Sequence, residues 1–245
     1  MLDKISPLTF KKAKEVDIFF SGQRKKIWVA QDMDTVLDEF SAAQLTQEIP
    51  AHHCPFGGVL WPSGRAFADW SRNNLTVDEI NSSETLELGC GVGFVACALA
   101  EIGLKNILAT DAEQSFADYL FQNSKEWGVQ GRIKFETLDW YNEVPLKYQK
   151  RFPLVIACDV LYEESHIQLL PKIAHECLNK DGTFYLADPE RFRFDAAMAE
   201  LKKLFNSVED TVVETELNPM DIATGTVSKT QKKVRVHILK CREPI

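Results

Sequence analysis

The sequence has 245 residues, of which 45% are hydrophobic and 26% charged, so it can bury a substantial core as one α/β domain or two smaller ones. Its net charge of −8 argues against a general affinity for nucleic acids, since proteins that bind polyanions usually present a basic surface. The sequence shows neither a signal-peptide pattern nor an uninterrupted apolar run of about 18 residues, and we therefore expect a cytoplasmic protein that does not enter a membrane.

Six cysteines are scattered along the chain without a Cys-x-x-Cys pair, and reduced thiols are expected. The run His52, His53 and Cys54 is the cluster that most resembles a metal site. Adjacent side chains of an extended chain point in opposite directions, and a further ligand group is missing from the neighbouring sequence. We therefore predict no metal site.

The N-terminal part of the chain predicts a hairpin and a helix. The runs KEVDIFF and KKIWVAQ flank the polar connection SGQR, a pattern typical of a β-hairpin. The run DMDTVLDEFSAAQL predicts a helix capped by an aspartate, and Ser63 is expected to cap the next helix. We predict an N-terminal extension over residues 1–50 and a main domain over residues 51–245.

The main domain alternates strands and helices, as in a doubly wound parallel sheet. The runs TLEL, NILATD, RIKFETLDW and FPLVIACDVLY predict four strands, and the last is a continuous apolar run of the kind buried on both faces. The helix HIQLLPKIAHECLNKDG contains Pro171, which is expected to kink or delay it. A fifth strand, TFYLADPE, and the helix AAMAELKKLF follow. The last two strands, EDTVVETEL and KKVRVHILKC, lack a crossover helix between them and should pair antiparallel.

A glycine loop follows the first of these strands. The run LELGCGVGF contains Gly89, Gly91 and Gly93, and in open α/β sheets ligands bind beyond the carboxyl ends of the strands. Phe94 stands where a dinucleotide fingerprint requires another glycine, and the Walker pattern is absent from the sequence. The loop therefore suits a cofactor that lacks phosphates.

Asp111 ends the second strand about 20 residues further on, where an acidic side chain can accept hydrogen bonds from both hydroxyls of a ribose. S-adenosylmethionine is a nucleoside without a pyrophosphate and fits both features. Its amino-acid end would lie over the glycines, and its adenine would contact Asp139 and the flat ring of Trp140. A helix-capping role for Asp111 and core packing of Trp140 are the alternatives.

The motifs WPSG, ELGCGVG, TDAE, LDW and CDVLY, together, resemble the seven-β-strand methyltransferases of family 16, which include protein-lysine methyltransferases. The resemblance runs from about Pro55 to DPER, and its more specific signals are the tryptophan-containing WPSG region and the D-x-x-Y motif. It is particularly close to the subgroup that methylates the electron-transfer-flavoprotein β subunit and to bacterial relatives of that subgroup. The implied fold is a Rossmann-like class I methyltransferase with helices on both faces of a mostly parallel seven-stranded sheet, in the order 3-2-1-4-5-7-6 with the last strand antiparallel.

The resemblance also implies roles for individual residues. The implied cofactor-binding residues are Trp61, Gly89, Cys90, Gly91, Gly93, Asp111, Ala112, Asp139, Trp140 and Cys158. Asp159 would face the acceptor nitrogen, with Tyr162 close by, and these two are the predicted catalytic residues. Asp159 would either stabilise the positive charge that develops on the acceptor or take a proton through water. The alternative is a structural aspartate that caps the following helix.

The favoured hypothesis is an S-adenosylmethionine-dependent N-methyltransferase that acts on a protein lysine and releases S-adenosylhomocysteine. A small amine or nicotinamide-like heterocycle as acceptor is the first alternative, and a non-catalytic binding module is the second. A folded protein substrate predicts a broad, open rim, whereas a small acceptor predicts a lid formed by the N-terminal segment. The segment DPER would either shape the acceptor side or form a salt bridge to a helix. We expect a monomer, with residues 218–231 bordering the acceptor site.

Overall fold

The computed structural model describes residues 12–46, 50, 52–217 and 232–244. The predicted acceptor loop, residues 218–231, lies outside the described residues. The strands in chain order are β1 (Ala13–Phe20), β2 (Gln23–Ala30), β3 (Thr85–Leu88), β4 (Ile107–Asp111), β5 (Ile133–Thr137), β6 (Phe152–Cys158), β7 (Leu178–Asp188), β8 (Phe205–Leu217) and β9 (Lys232–Pro244).

Seven of these strands form one sheet in the order β5-β4-β3-β6-β7-β9-β8. Strands β3 to β7 pair in parallel with their neighbours of that group, and β9 pairs antiparallel with both β7 and β8. This is the predicted order 3-2-1-4-5-7-6, and the predicted fold class is confirmed. The chain runs outward on one side of β3 and then returns to the other side at β6, so the order reverses between these two strands, which is where open α/β sheets bind ligands.

Helices cover both faces of this sheet. They are α1 (Met33–Leu45), α2 (Pro62–Asn74), α3 (Val77–Ile80), α4 (Phe94–Ile102), α5 (Phe116–Glu126), α6 (His166–Cys177) and α7 (Phe194–Leu204). Buried residues of α2, α4 and α5 belong to one hydrophobic core, and those of α6 and α7 belong to a second core on the opposite face. Within the described part of the chain, the helices are too short or too polar to cross a membrane.

Strand β6 shows why the apolar run FPLVIAC is buried on both faces. Leu154 and Ile156 contribute to one core, whereas Val155 and Ala157 contribute to the other. Successive side chains of a strand point to opposite faces, and each face here is covered by helices. The prediction of a strand buried on both faces is therefore confirmed.

Two helix predictions need correction. Ser63 was expected to cap α2, but Trp61 is the N-cap residue and Pro62 occupies the first turn, where a residue without an N–H costs no hydrogen bond. Helix α6 was expected to be kinked or delayed by Pro171 and to include residues 178–182. The helix runs through Pro171, whose side chain is buried with the rest of that helix face, and residues 178–182 belong to β7.

Strands β1 and β2 form the predicted antiparallel hairpin. Its two-residue turn, Ser21 and Gly22, has φ values of 55° and 73°, the positive angles that tight hairpin turns require. Helix α1 follows, and the side chain of its N-cap residue Asp32 accepts a hydrogen bond of 3.1 Å from the backbone N–H of Asp34. The aspartate cap is confirmed. The division of the chain at residue 50 stays a proposal.

Asn123 of α5 joins the hairpin to the main sheet. Its side-chain oxygen accepts from the backbone N–H of Trp28 at 2.7 Å, and its amide nitrogen donates to the carbonyl of Trp28 at 3.0 Å and to that of Val92 at 2.8 Å. The Asn123 side chain is fully buried. One side chain thus makes hydrogen bonds to three backbone groups of two separate segments, the hairpin and the glycine loop.

We expect Asn123→Ala to lower the free energy of unfolding by about 2–3 kcal/mol, because the substitution removes three hydrogen bonds that contribute roughly 0.5–1.5 kcal/mol each. Urea unfolding followed by circular dichroism measures the change. Asn74→Ala is the matched control, because the Asn74 amide makes one hydrogen bond at an exposed position; its change should stay within about 0.5 kcal/mol. Equal effects of the two substitutions would show that Asn123 does not hold the hairpin.

Candidate functional site

A cavity of about 690 Å³ opens at the carboxyl edge of the sheet, beside the point where the strand order reverses. This figure counts all the empty space between the lining residues, including space that is open to solvent. Its lining contains seven of the predicted cofactor-binding residues and both predicted catalytic residues: Trp61, Gly89, Asp111, Ala112, Asp139, Trp140, Cys158, Asp159 and Tyr162. The sheet thus brings together residues that lie far apart in the sequence.

A second cavity of about 400 Å³ adjoins the first over the glycine loop. The two cavities share Gly57, Trp61, Gly89 and Cys158 in their walls. Cys90 and Gly91, which do not line the larger cavity, line the second one. These two adjoining cavities are together called the cleft below, and each of them is called a lobe of it.

The glycine loop comes close to other parts of the protein. A Cβ atom at Gly89 would lie 2.7 Å from the Val160 side chain, and one at Gly91 would lie 2.4 Å from the carbonyl oxygen of Gly57. Both glycines have positive φ, 72° and 49°, which L side chains rarely adopt. The bare backbone thus makes room for the 55–58 turn, whose Gly57 carbonyl accepts from the N–H of Val92 at 2.9 Å.

Gly93 stands apart from the other two glycines. It is the N-cap residue of α4 with φ 78°, and a Cβ atom there would lie 2.1 Å from the Leu120 side chain. Within the described residues it belongs to the walls of neither cavity. Glycine is therefore needed at this position because the start of α4 packs closely against α5. The position of Gly93 does not support its predicted contact with the cofactor.

Asp111 ends β4 with its carboxylate turned back to the glycine loop. Its two oxygens accept from the N–H groups of Gly91 at 2.9 Å and of Glu113 at 3.2 Å. Burial raises the pKa of Asp111 to about 6, and the hydrogen bond from Gly91 opposes that rise. A carboxylate oxygen has two acceptor sites, so Asp111 can still accept hydrogen bonds from a ligand in the cavity.

Asp139 and Trp140 lie in the loop that follows β5, which ends at Thr137; the expectation that the strand extends to Trp140 is wrong by three residues. Asp139 accepts hydrogen bonds of 3.0 Å from the backbone N–H of Tyr141 and from the Asn142 side chain. The Trp140 ring packs against His166 with the centroids 5.0 Å apart. Trp140 also contacts the second hydrophobic core, so it combines a packing role with a place in the cavity wall.

Both histidines of the HHC run reach the same carboxylate. Nε2 of His52 lies 3.0 Å from Asp139 Oδ2, and Nε2 of His53 lies 3.6 Å from that oxygen. Nδ1 of His53 contacts the carboxylate of Glu113. The expectation that the adjacent side chains diverge and lack a further ligand group is wrong, because the chain turns here and the missing groups come from the loops after β4 and β5.

Asp159 follows β6 with φ 60°, and its carboxylate is almost wholly buried. One oxygen accepts from the backbone N–H of Ser63 and the other from the Arg191 guanidinium, each at 2.5 Å. Burial raises the pKa of Asp159, and Arg191 opposes that rise. The expected alternative was a cap on the following helix, but the helix whose first turn it binds is α2, which precedes it by 96 residues.

The salt bridges of the segment DPER lie at the carboxyl ends of β6 and β7. Arg191 pairs with Asp159 and, at 3.2 Å, with Asp188, and its guanidinium lies 5.6 Å from the centre of the Trp61 ring. Trp61 also donates from its indole nitrogen to the carbonyl of Phe56 at 2.8 Å. Arg191 therefore connects the end of β7 to the start of α2, and the expected salt bridge to a helix is replaced by these contacts.

Tyr162 and His166 form the aromatic side of the larger cavity. Their rings lie 4.8 Å apart, and Tyr162 packs edge-on against Phe56 at 5.9 Å. Burial raises the pKa of Tyr162, so the phenol keeps its proton. Burial lowers the pKa of His166, whose Nδ1 lies 2.7 Å from the carbonyl of Val160. Neither side chain carries a charge near neutral pH.

The wall of the larger cavity contains three carboxylates, Asp111, Asp139 and Asp159, whereas the described residues that line it include neither lysine nor arginine. The described wall thus offers an anionic pyrophosphate neither a lysine nor an arginine. The wall residues that sequence reasoning missed are His52, His53, Cys54, Phe56, Gly57, Leu138, Tyr141, Val160 and His166. The HHC run was the sequence signal available for His52, His53 and Cys54. Its proximity to Asp139 depends on tertiary packing.

Glu87 of β3 lines the second cavity and is fully buried within the sheet. Burial raises its pKa from 4.5 to about 8. The unfolded chain ionises near 4.5 while the folded protein keeps the proton, so the protein loses stability as the pH rises from 4.5 towards 8 and has no such loss below 4.5.

We expect Glu87→Gln to remove this loss, since the amide has a similar shape and no charge to form. The free energy of unfolding of the variant relative to the natural sequence should rise by about 2–4 kcal/mol between pH 4.5 and 8. Chemical unfolding at a series of pH values measures it. Glu143→Gln, at an exposed position, is the control, and its unfolding free energy relative to the natural sequence should not change with pH. If that of Glu87→Gln does not change with pH either, Glu87 ionises normally.

The sequence profile of a family described as lysine methyltransferase matches residues 43–210. The electron transfer flavoprotein beta subunit lysine methyltransferase of Rattus norvegicus is 27% identical over 161 residues, which are 65% of this chain and 60% of that protein. A UPF0665 family protein of Schizosaccharomyces pombe is 24% identical over 140 residues, which are 54% of this chain and 42% of that protein. The chain thus spans about half the length of these relatives.

Solved structures show the same fold. A SAM-dependent O-methyltransferase from Thermotoga maritima matches with a TM-score of 0.51 and 13% identity, over 93% of this chain and 77% of that one. A precorrin-6y C5,15-methyltransferase from Geobacter metallireducens matches with a TM-score of 0.50 and 12% identity, over 65% of this chain and 79% of that one. At such identities the likeness concerns the fold alone.

Proposed function

The chain belongs to the lysine methyltransferase family, and from this premise we propose that it transfers a methyl group from S-adenosylmethionine to a lysine side chain of a protein. The observation that carries the proposal is the acid-lined, two-lobed cleft at the sheet edge, whose described wall residues include neither lysine nor arginine. This charge pattern suits a ligand with a sulfonium and an ammonium group, and it disfavours dinucleotides.

The residues present fit S-adenosylmethionine, which supplies a methyl group on a positively charged sulfur. Asp111 would accept hydrogen bonds from the ribose hydroxyls, and Asp139 would accept one from the adenine amino group. The amino-acid end would lie in the smaller lobe, over Gly89 and Gly91. The remaining wall contacts would come from Trp61, Cys90, Ala112, Trp140 and Cys158.

The acceptor amine must approach as the free base, because only the unprotonated nitrogen has an electron pair for the methyl carbon. In the transfer, the methyl carbon would exchange its bond to sulfur for one to nitrogen, and the nitrogen would gain a positive charge that it would lose with a proton to water. Asp159 and Tyr162 lie on the wall where the amine would enter. The Asp159 oxygens are already paired, which supports electrostatic stabilisation by Asp159 rather than proton abstraction.

A protein substrate is supported over a small acceptor by the position of the N-terminal segment. The described residues 12–46 contribute nothing to the walls of the larger cavity, so the hairpin and α1 do not form a lid over it. Among the described residues, the hairpin and α1 thus leave the rim accessible to a side chain carried by a folded partner. A cytoplasmic location and a monomeric state stay predictions.

We expect Asp111→Ala to weaken S-adenosylmethionine binding about 100-fold. The loss corresponds to two hydrogen bonds to a carboxylate at roughly 1.5 kcal/mol each. Calorimetric titration at pH 7.5, above the pKa of about 6 for Asp111, measures it. Asp181→Asn, which removes an exposed carboxylate outside the cleft, is the control. Unchanged affinity in a folded Asp111→Ala protein would rule out the ribose contact.

We expect Asp159→Asn to lower kcat for methyl transfer at least about 10-fold while the affinity for S-adenosylmethionine changes less than about 3-fold. The amide keeps one oxygen for the Ser63 N–H but loses the negative charge that faces the acceptor nitrogen. Transfer of a labelled methyl group to protein and small-molecule fractions, kept apart, measures turnover and also identifies the acceptor class. Full turnover in the variant would contradict the proposed role.

A further inference from the structure

Three electron-rich side-chain atoms converge at the rim of the larger cavity. Nε2 of His52 lies 3.0 Å and Nε2 of His53 lies 3.6 Å from the same oxygen of Asp139. One potential ligand atom from each residue lies within 4.8 Å of those of the other two. A tetrahedral zinc ion, with bonds of roughly 2.0–2.1 Å, keeps its ligand atoms about 3.3 Å apart. The three groups therefore already lie near the spacing that a metal ion requires.

The surroundings of His53 point to a ligand. Its side chain is only 10% exposed, and its Nδ1 contacts the buried carboxylate of Glu113. Metal-binding histidines usually donate one ring N–H to a carboxylate, and this leaves the other nitrogen with a free lone pair. Nε2 of His53 is buried and has no hydrogen-bond partner among the described residues. It points to Asp139 at a distance too long for a hydrogen bond.

We propose that His52, His53 and Asp139 bind a divalent transition-metal ion of the zinc class, with Glu113 orienting His53. Two imidazoles and one carboxylate are a donor set that zinc and related ions use in proteins, where a fourth position often stays open. A single cation can contact the two imidazole nitrogens and the carboxylate oxygen at once. The site faces the larger cavity, which all three residues line.

A metal ion here would connect two separate parts of the cleft. The histidines precede the 55–58 turn, which lies over the glycine loop, and Asp139 belongs to the loop after β5. The ion would take up the carboxylate to which the adenine is assigned above. Bound metal therefore competes with S-adenosylmethionine, a consequence that rests on the proposed function, whereas metal binding itself does not.

The first test is calorimetric titration of the whole protein with Zn²⁺. The natural sequence and the matched control His175→Asn, which changes a histidine of α6 outside the cluster, should bind one equivalent at this site. His52→Asn and His53→Asn should each weaken that binding at least about 10-fold. Thermal unfolding checks that each variant is folded. Failure of the natural sequence to bind Zn²⁺, or binding by His52→Asn and His53→Asn as tight as that of the natural sequence, would overturn the site.

The absorption spectrum of bound Co²⁺ provides a second readout that does not depend on the histidine variants. Nitrogen and oxygen ligands give visible absorption bands without an intense near-ultraviolet band from sulfur. Cys54 lines the same cavity, and Cys54→Ser should leave the spectrum and the Zn²⁺ affinity unchanged. A sulfur band that this substitution abolishes would show that a thiolate binds the metal and would overturn the His–His–Asp assignment.

Competition is measured by titrating S-adenosylmethionine with and without saturating Zn²⁺. Zn²⁺ should weaken the binding of S-adenosylmethionine to the natural sequence at least about 10-fold. In His52→Asn, the affinities for S-adenosylmethionine with and without Zn²⁺ should be about equal. An unchanged affinity in the natural sequence would overturn the competition. Zn²⁺ binding without S-adenosylmethionine binding would remove the proposed function and leave the metal site. The reverse result would remove the metal site alone.

Discussion

The buried pair of Asp159 and Arg191 is the interaction on which the geometry of the cleft depends. The Asp159 carboxylate accepts from Arg191 after β7 and from Ser63 in the first turn of α2. A carboxylate this deep in the protein would cost several kcal/mol without such partners. Because both oxygens are satisfied, the ends of β6 and β7 and the start of α2 meet at one place. That junction fixes the wall against which an acceptor would lie.

Close backbone approach is the second constraint, and it operates at the glycine loop. Gly91 allows the carbonyl of Gly57 to approach so closely that any Cβ atom would clash, and the N–H of Val92 then donates to that carbonyl. The side chain of Asn123 joins the carbonyl of the same Val92 to strand β2. The 55–58 turn and α5 therefore both bind the glycine loop, and these contacts fix the position of the loop in the cleft.

The charge of the cleft follows from the positions of the strand ends. Asp111 ends β4, Asp139 and Asp159 follow β5 and β6, and all three line one cavity. Neighbouring carboxylates attract cations. A sulfonium cofactor, an amine that becomes positive on reaction and a divalent metal ion are all cations, so one arrangement accounts for the proposed chemistry and for competition between ligands.

The sequence by itself determined the alternation of strands and helices, the glycine loop and the place of Asp111 at the end of its strand, because periodicity and strand ends are local patterns and the carboxyl ends of parallel strands share one edge. The strand order was expected from the resemblance to the methyltransferase family. Only the tertiary structure decided which groups meet. His52 lies 87 residues from Asp139 and Ser63 lies 96 residues from Asp159. Contacts across such separations depend on how the helices and loops pack over the completed sheet, and a linear pattern does not encode that packing.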